Sequence, residues 1–343
     1  MSKIGYVLRM AKAMNFTNLR KRAGEASKKS GRPVILIVAD MLYCALRYQA
    51  GYMDYTLFEM YFKNRRQRES VLTRGKNNMY VAALNDSAAS LKLSNKVEFH
   101  KYFAAYTKRA YLDLATAGFT EFEAFIDTYG DILVKPPGGT HGEGIRRLPA
   151  GEITDRRALY DECLKNGRTL CEQLVVQHDE LNRVYAGSVN TIRLVTMLVG
   201  MKAEIVIAMH RIGGAGNGVD NFNSGGMVAP VDDTTGRVTL PAVDKQGNVY
   251  ASHPATGGRI AGMQIPYWNE CLEIVKNAAL VVPEVRYIGW DVAVTPAGPL
   301  LIEGNPYPGH DIYGLPAHSP DGMGVLPRFE AVIPLKDLRK LKK

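Results

Sequence analysis

Cysteine is scarce in this chain and poorly spaced for chemistry. The 343 residues hold four, Cys44, Cys163, Cys171 and Cys271, and no two stand two or three positions apart. That excludes a zinc knuckle and a redox dithiol, and so few scattered thiols suit a reducing, cytoplasmic compartment. Long apolar runs are missing too. The longest, "PVILIVADMLYCAL", is interrupted by Asp40 and falls short of the about 20 apolar residues that a spanning helix needs. It begins only after a basic and polar stretch ending at Arg32, which is not the layout of a signal peptide. Acidic residues are thin in the front of the chain. Residues 1–110 carry 21 Lys/Arg against 7 Asp/Glu, whereas the remainder carries 22 against 27. Solvated helix faces explain such a bias, and so does contact with an anion such as a membrane surface or a phosphorylated substrate. No aromatic-basic motif is present, so nucleic acid is not an expected partner.

What is present changes texture near residue 128. Before it, apolar residues recur at helical spacing. "DYTLFEMYFKNRRQRESVL" has them at 57, 58, 61 and 62, and "SNKVEFHKYFAAYTKRAYLDLATAG" reads as one helix capped by Ser94 or Asn95 and stopped by Gly118. After it come short β-rich runs, "DILVK", "TLCEQLVV", "TIRLVTMLV", "AEIVIAMHRI", "YIGWDVAV" and "PLLIEGN", with one helix, "YWNECLEIVKNAALVV". The expected architecture is α+β, a helical front and a back built on antiparallel strands. The expected divisions are a basic helical region 1–127, a small subdomain 128–185, a larger one 186–335 and a basic tail 336–343.

Three groups of residues point to chemistry. The first is "DILVKPPGGTHGEGIRRL", a strand ending on Lys135 before a glycine-rich loop. A Walker loop places its lysine after the glycines, and the dinucleotide spacing is absent. A hairpin remains, whose backbone N–H groups and Lys135 suit a polyphosphate; a plain surface hairpin with a flexible tip uses the same residues. The second is "YIGWDVAVTPAGPLLIEGNPYPG". A three-residue turn, Pro296-Ala297-Gly298, puts Asp291 opposite Glu303, with Asn305 on the same face. Facing carboxylates call for a positive charge between them, and these oxygen donors suit Mg²⁺. The third is Arg193 and Arg211, cross-strand neighbours if the chain turns at Met201-Lys202-Ala203. Such a buried pair requires an anion, and phosphate is the natural one. His178, His210 and His310 lack metal-ligand spacing and read as hydrogen-bonding side chains. Residues 1–32 hold nine Lys/Arg and one acid, Glu25. With little to bury, they read as dispensable for nucleotide binding and suited to weak peripheral contact with an anionic membrane.

The order of these groups resembles the ATP-grasp superfamily. "CEQLVVQHDEL", "VNTIRLVT", "DNFNSGGM" and "GWDVAV…LIEGNPYPG" resemble its sugar-transfer-associated branch, and "GYMDYTLFEMYFKNRRQRESVLTR" with "NKVEFHKYF" resembles that family's helical lead-in. The likeness runs from about residue 50 to 315. It implies an ATP-grasp fold that holds the nucleotide between two α+β subdomains, with ATP and two Mg²⁺ ions. It implies that Lys96 and Lys135 meet the nucleotide phosphates under the loop of Gly139, Thr140, Gly142 and Gly144. Glu172, Gln173, Leu174 and Val175 would form the adenine hinge, and Asp179 or Glu180 would meet the ribose. Asp291, Glu303 and Asn305 would hold Mg²⁺, with Arg193, Arg211 and Asn223 on the transferred phosphate and the acyl substrate. The implied activity is ATP-dependent carboxylate–amine ligation through an acyl phosphate, joining for instance an amino acid to a sugar acid or a surface-polysaccharide precursor. The alternative is a kinase acting on a small-molecule hydroxyl.

Overall fold

The computed structural model describes residues 15–139, 144–214, 216 and 218–342. The chain divides into two units, one of residues 1–85 with 307–343, the other of 86–306. The division differs from the expected one because the C-terminal segment returns to the helical front. Asn77 donates to the Pro308 carbonyl at 3.0 Å, Tyr80 Oη to Ile333 O at 2.9 Å, and His310 Nε2 meets Asp54 at 2.7 Å. Such distant pairings have no local signature in sequence.

In the first unit, helices Phe16–Ser30 and Val34–Tyr48 pack together, the first burying Ala23 and Ala26 against Ile37, Met41, Cys44 and Tyr48. Two alanines let one helix approach the other closely, so residues 16–32 do contribute to a core, contrary to expectation. Arg68 grips Asp40 through both terminal nitrogens, at 2.6 and 2.7 Å, and Tyr55 Oη adds a third bond to Asp40 at 2.7 Å. The expected single helix across 54–72 is instead three pieces, Tyr52–Leu57, Met60–Phe62 and Arg65–Ser70. Glu59 takes a left-handed conformation (φ 48°), and Asn64 restarts the helix by accepting from Gln67 N.

The second unit carries two antiparallel sheets. Strands β1 (Tyr111–Asp113), β2 (Ile132–Lys135), β3 (Arg146–Leu148) and β4 (Leu170–Gln173) form one, in the order β1-β4-β2-β3. β2 and β3 make the expected hairpin behind Lys135. Strands β5 (Ile192–Val199), β6 (Lys202–Ile212), β7 (Met227–Pro230), β8 (Ala242–Asp244), β9 (Val249–Tyr250), β10 (Tyr287–Thr295) and β11 (Gly298–Asn305) form the other, in the order β11-β10-β5-β6-β7-β8-β9. Helix Trp268–Ala278 covers it and buries Cys271, Ile274 and Val275. The long helix expected from Asn95 to Gly118 is broken. Asn95 does cap Lys96–Tyr102, accepting from Val97 N and Glu98 N. Lys108 then turns left-handed (φ 46°), Tyr111 pairs with Glu172, and Gly118 begins the next helix, Phe119–Tyr129, rather than ending one. Strand pairing has overridden local helical spacing here.

Candidate active site

The first cluster is built on β4. Glu172 points into the protein with no exposed surface. Its Oε1 meets His100 Nε2 at 2.6 Å and Arg109 Nη2 at 2.9 Å, while its Oε2 meets Lys135 Nζ at 2.7 Å. Burial opposes ionisation of Glu172, but Arg109, Lys135 and His100 outweigh it and hold the carboxyl far below the usual range. Burial likewise pulls Lys135 and His100 below their ordinary values. His100 stacks on Tyr111 at 4.4 Å, and its Nδ1 and the Nε of Arg109 are buried with no hydrogen-bond partner among the described residues.

The Glu172 side chain is the hub of a buried charge cluster. Gln173 follows it at the strand end, its side chain accepting from Ala110 N at 3.2 Å. Leu174 and Val175 continue as half-buried, irregular chain. Asp179 and Glu180 are exposed at the start of helix Asp179–Val184, Glu180 paired with Arg183. Lys96 Nζ reaches the loop behind β2, donating to Gly139 O at 3.0 Å and Gly138 O at 3.4 Å. Gly139 and Gly144 flank that loop with φ of 97° and 75°, where glycine is favoured. Thr140 and Gly142 lie outside the described residues.

The second cluster is built on the larger sheet. β10 sets Asp291 opposite Glu303 on one side and Arg193 on the other. Arg193 grips Asp291 with Nε at 2.6 Å and Nη2 at 2.9 Å; Arg211 Nη1 adds a bond at 2.5 Å. The Asp291–Glu303 pairing was expected from a three-residue turn, but the turn is Pro296-Ala297 only. Ile302 bulges one residue out between Leu301 and Glu303, which restores the register. The arginine pairing did not survive its own shorter turn. β5 and β6 join through Gly200-Met201, so Arg193 faces Met209, and Arg211 lies one diagonal step away on the same face. The anion they share is Asp291, a carboxylate of the chain itself.

Burial raises the pKa of the Glu303 carboxyl, and the nearby Asp291 charge reinforces this. Asp291, by contrast, is held well below the usual carboxylate range by Arg193 and Arg211 despite burial. Glu303 and Asn305 remain partly open to solvent at the end of β11. Gly304 between them has no room for a side chain. A Cβ there would stand 2.9 Å from Trp290, 3.1 Å from Leu93 and 3.1 Å from Phe99. That contact seats helix Lys96–Tyr102, and with it Lys96 and His100, beside the carboxylates.

Two residues join the clusters. Arg109 Nη2 also donates to Ile302 O at 3.3 Å, and Lys135 feels the charge of Glu303. Asp220 extends the second cluster, pairing with Arg211 Nη2 at 3.1 Å and accepting from Thr191 N at 2.9 Å. Burial, reinforced by Asp291, raises its carboxyl. His100, Arg109 and Asp220 were not anticipated. Asp220 stood in the quoted "DNFNSGGM", but only Asn223 was drawn from it. Asn223 is exposed in the loop before β7, its N–H donating to Asn221 Oδ1 at 2.7 Å. Of the three histidines, His178 caps a helix by accepting from Glu180 N and His310 pairs with Asp54. His210 does not fit the expectation. It is fully buried, neither ring nitrogen has a partner among the described residues, and burial pushes its pKa down to about 3.

Four buried or nearly buried cations, Arg109, Lys135, Arg193 and Arg211, thus face two firmly ionised carboxylates, Glu172 and Asp291. Asp220 and Glu303 stand among the same groups, and cations converging in this way suit a polyphosphate. The donor set suits a hard divalent cation as well. Asp291 and Glu303 face each other across the strand pair, and Asn305 adds a neutral oxygen. All four cysteines are buried and none belongs to either cluster.

Several solved structures are similar to this chain. The ligase PsnB bound to a minimal precursor is 16% identical, covering 74% of this chain and 64% of that one, with a TM-score of 0.42. The D-alanine–D-alanine ligase of Coxiella burnetii is 10% identical, covering 75% and 61%, with a TM-score of 0.46. D-alanyl-alanine synthetase A of Vibrio cholerae is 12% identical, covering 74% and 65%, with a TM-score of 0.41. The chain therefore spans less than two thirds of the length of each. No curated protein matches it. Residues 150–332, more than half of the chain and the whole of the Arg193–Arg211–Asp291–Glu303 cluster, match the sugar-transfer-associated ATP-grasp family, and to that family the chain belongs.

Proposed function

We propose that the protein is an ATP-dependent carboxylate–amine ligase that works through an acyl phosphate. The observation that carries this is the joined pair of buried charge clusters, cation-rich and free of any nucleophilic thiol. Lys135 and Lys96 would neutralise the nucleotide phosphates from below and above the glycine loop. Arg193 and Arg211, already converging on one oxygen-bearing anion, would hold the transferred phosphoryl group as charge moves onto it. Asp291, Glu303 and Asn305 would hold Mg²⁺, which supplies charge neutralisation at the bridging phosphate oxygens. An amine would then attack the acyl carbon and phosphate would leave, with no covalent bond to the enzyme. In this proposal the acid is a sugar acid and the amine an amino acid, with a surface-polysaccharide precursor as one such product.

The test is a screen of acid–amine pairs for ADP release, read by mass spectrometry of the products. The proposal predicts free phosphate and an amide, each dependent on both substrates. A stable phosphate ester of a hydroxyl, formed with a single substrate and no amine, would overturn it in favour of a hydroxyl kinase.

A further inference from the structure

Helix Val34–Tyr48 carries two apolar stripes. One, Ile37, Met41, Cys44 and Tyr48, is buried in the helical unit. The other repeats the same spacing two positions earlier and faces solvent: Ile35 is 75% exposed, Leu42 51% and Leu46 54%, with Ala39 exposed between them. Only two charged residues occur on the helix, and Asp40 is turned inward onto Arg68 and Tyr55. A helix that is apolar all round is ordinarily buried on all sides; this one is buried on one.

The surroundings indicate what covers the other side. Residues 15–48 hold seven Lys/Arg and two acids, and both acids are internally paired, Glu25 with Arg22 and Asp40 with Arg68. Exposed Arg32 precedes the helix, with exposed Arg20, Lys21 and Lys28 on the helix before it, while Arg47 in the last turn is exposed but paired with Glu69 at 3.1 Å. Two copies meeting through this face would bring cationic rims together. An anionic lipid surface satisfies both features, because the apolar stripe enters the acyl boundary while the basic rim meets headgroups.

We propose that the outward face of helix Val34–Tyr48 docks the protein on anionic bilayers, with the basic residues around it selecting lipid charge. This is independent of the reaction catalysed. The full chain should co-sediment with vesicles of phosphatidylcholine mixed with phosphatidylserine, stay in solution with phosphatidylcholine alone, and detach as salt is raised. Ile35→Gln, Leu42→Gln and Leu46→Gln together should weaken binding by about tenfold or more with an unchanged circular dichroism spectrum. Leu91→Gln, an exposed apolar residue of the other unit at 64%, should have no effect. Undiminished binding of the triple variant would overturn the proposal, showing that the basic chain binds without the stripe. So would a wild-type protein that ignores both vesicles, and sedimentation velocity showing a dimer dissolved by the triple substitution would then assign the face to a second copy.

Discussion

Asp291 and Glu303 differ by one methylene and face each other across two strands, yet their surroundings treat them oppositely. Two guanidiniums hold the Asp291 carboxyl well below the usual range, whereas burial and the Asp291 charge raise that of Glu303. Their amide variants should therefore part company. Glu303→Gln keeps the shape of a carboxyl whose charged form burial disfavours and should leave stability within about 0.5 kcal/mol, while turnover falls about 10²-fold or more. Asp291→Asn removes the carboxylate that Arg193 and Arg211 share, leaving Asp220 on Arg211, and should cost about 3–5 kcal/mol. Urea denaturation of the two variants side by side checks this, and equal stability would show that the arginines have another anion. Glu172 offers a pH test. Its folded pKa lies below the unfolded value, so its contribution is complete above about pH 4.3 and is lost as pH falls towards the folded value. The stability gap between wild type and Glu172→Gln should narrow below that pH; a gap constant with pH would contradict the ion-pair account. The facing acids were legible in sequence because two charges interrupted apolar strands. Glu172 was legible only as a position, since what a side chain meets 37 residues from Lys135 in sequence depends on the β2–β4 pairing.

At the scale of elements, the strands were readable and the helices of the front less so. β10 and β11 were placed by alternation and by the Pro-Ala-Gly turn signal. The turn proved one residue shorter than expected and the Ile302 bulge compensated, so the right pairing followed from a wrong loop. The same kind of shortened turn between β5 and β6 moved Arg193 away from direct pairing with Arg211, and only the shared Asp291 brings them together. Helical spacing from 95 to 118 was real as a pattern but lost to β1, whose pairing with β4 lies more than 50 residues on. Gly304 is the joint between helix and sheet. Gly304→Ala should cost about 1–3 kcal/mol through overpacking against Trp290, Leu93 and Phe99 and should raise the KM for ATP by displacing the helix that carries Lys96. Unchanged melting and KM would mean that this contact does not position the helix.

Across the whole molecule, charge and fold divide the chain at different places. Basic residues crowd residues 1–110, but the helical unit closes with residues 307–343, and the charged site is assembled wholly within residues 86–306. The helix Phe16–Ser30 belongs to a packed core through Ala23 and Ala26, so removing residues 1–32 should lower the melting temperature of the helical unit as well as its charge. No described helix is long and apolar enough to cross a membrane. The central claim is that the site in residues 86–306 takes ATP together with a divalent cation held by the facing acids. Titration calorimetry with a non-hydrolysable ATP analogue, with and without Mg²⁺, tests it most directly. The account predicts that Mg²⁺ tightens binding to the wild type and that Glu303→Gln loses this gain while keeping its metal-free affinity. An undiminished Mg²⁺ gain in Glu303→Gln, or no binding of the analogue to the wild type, would contradict it.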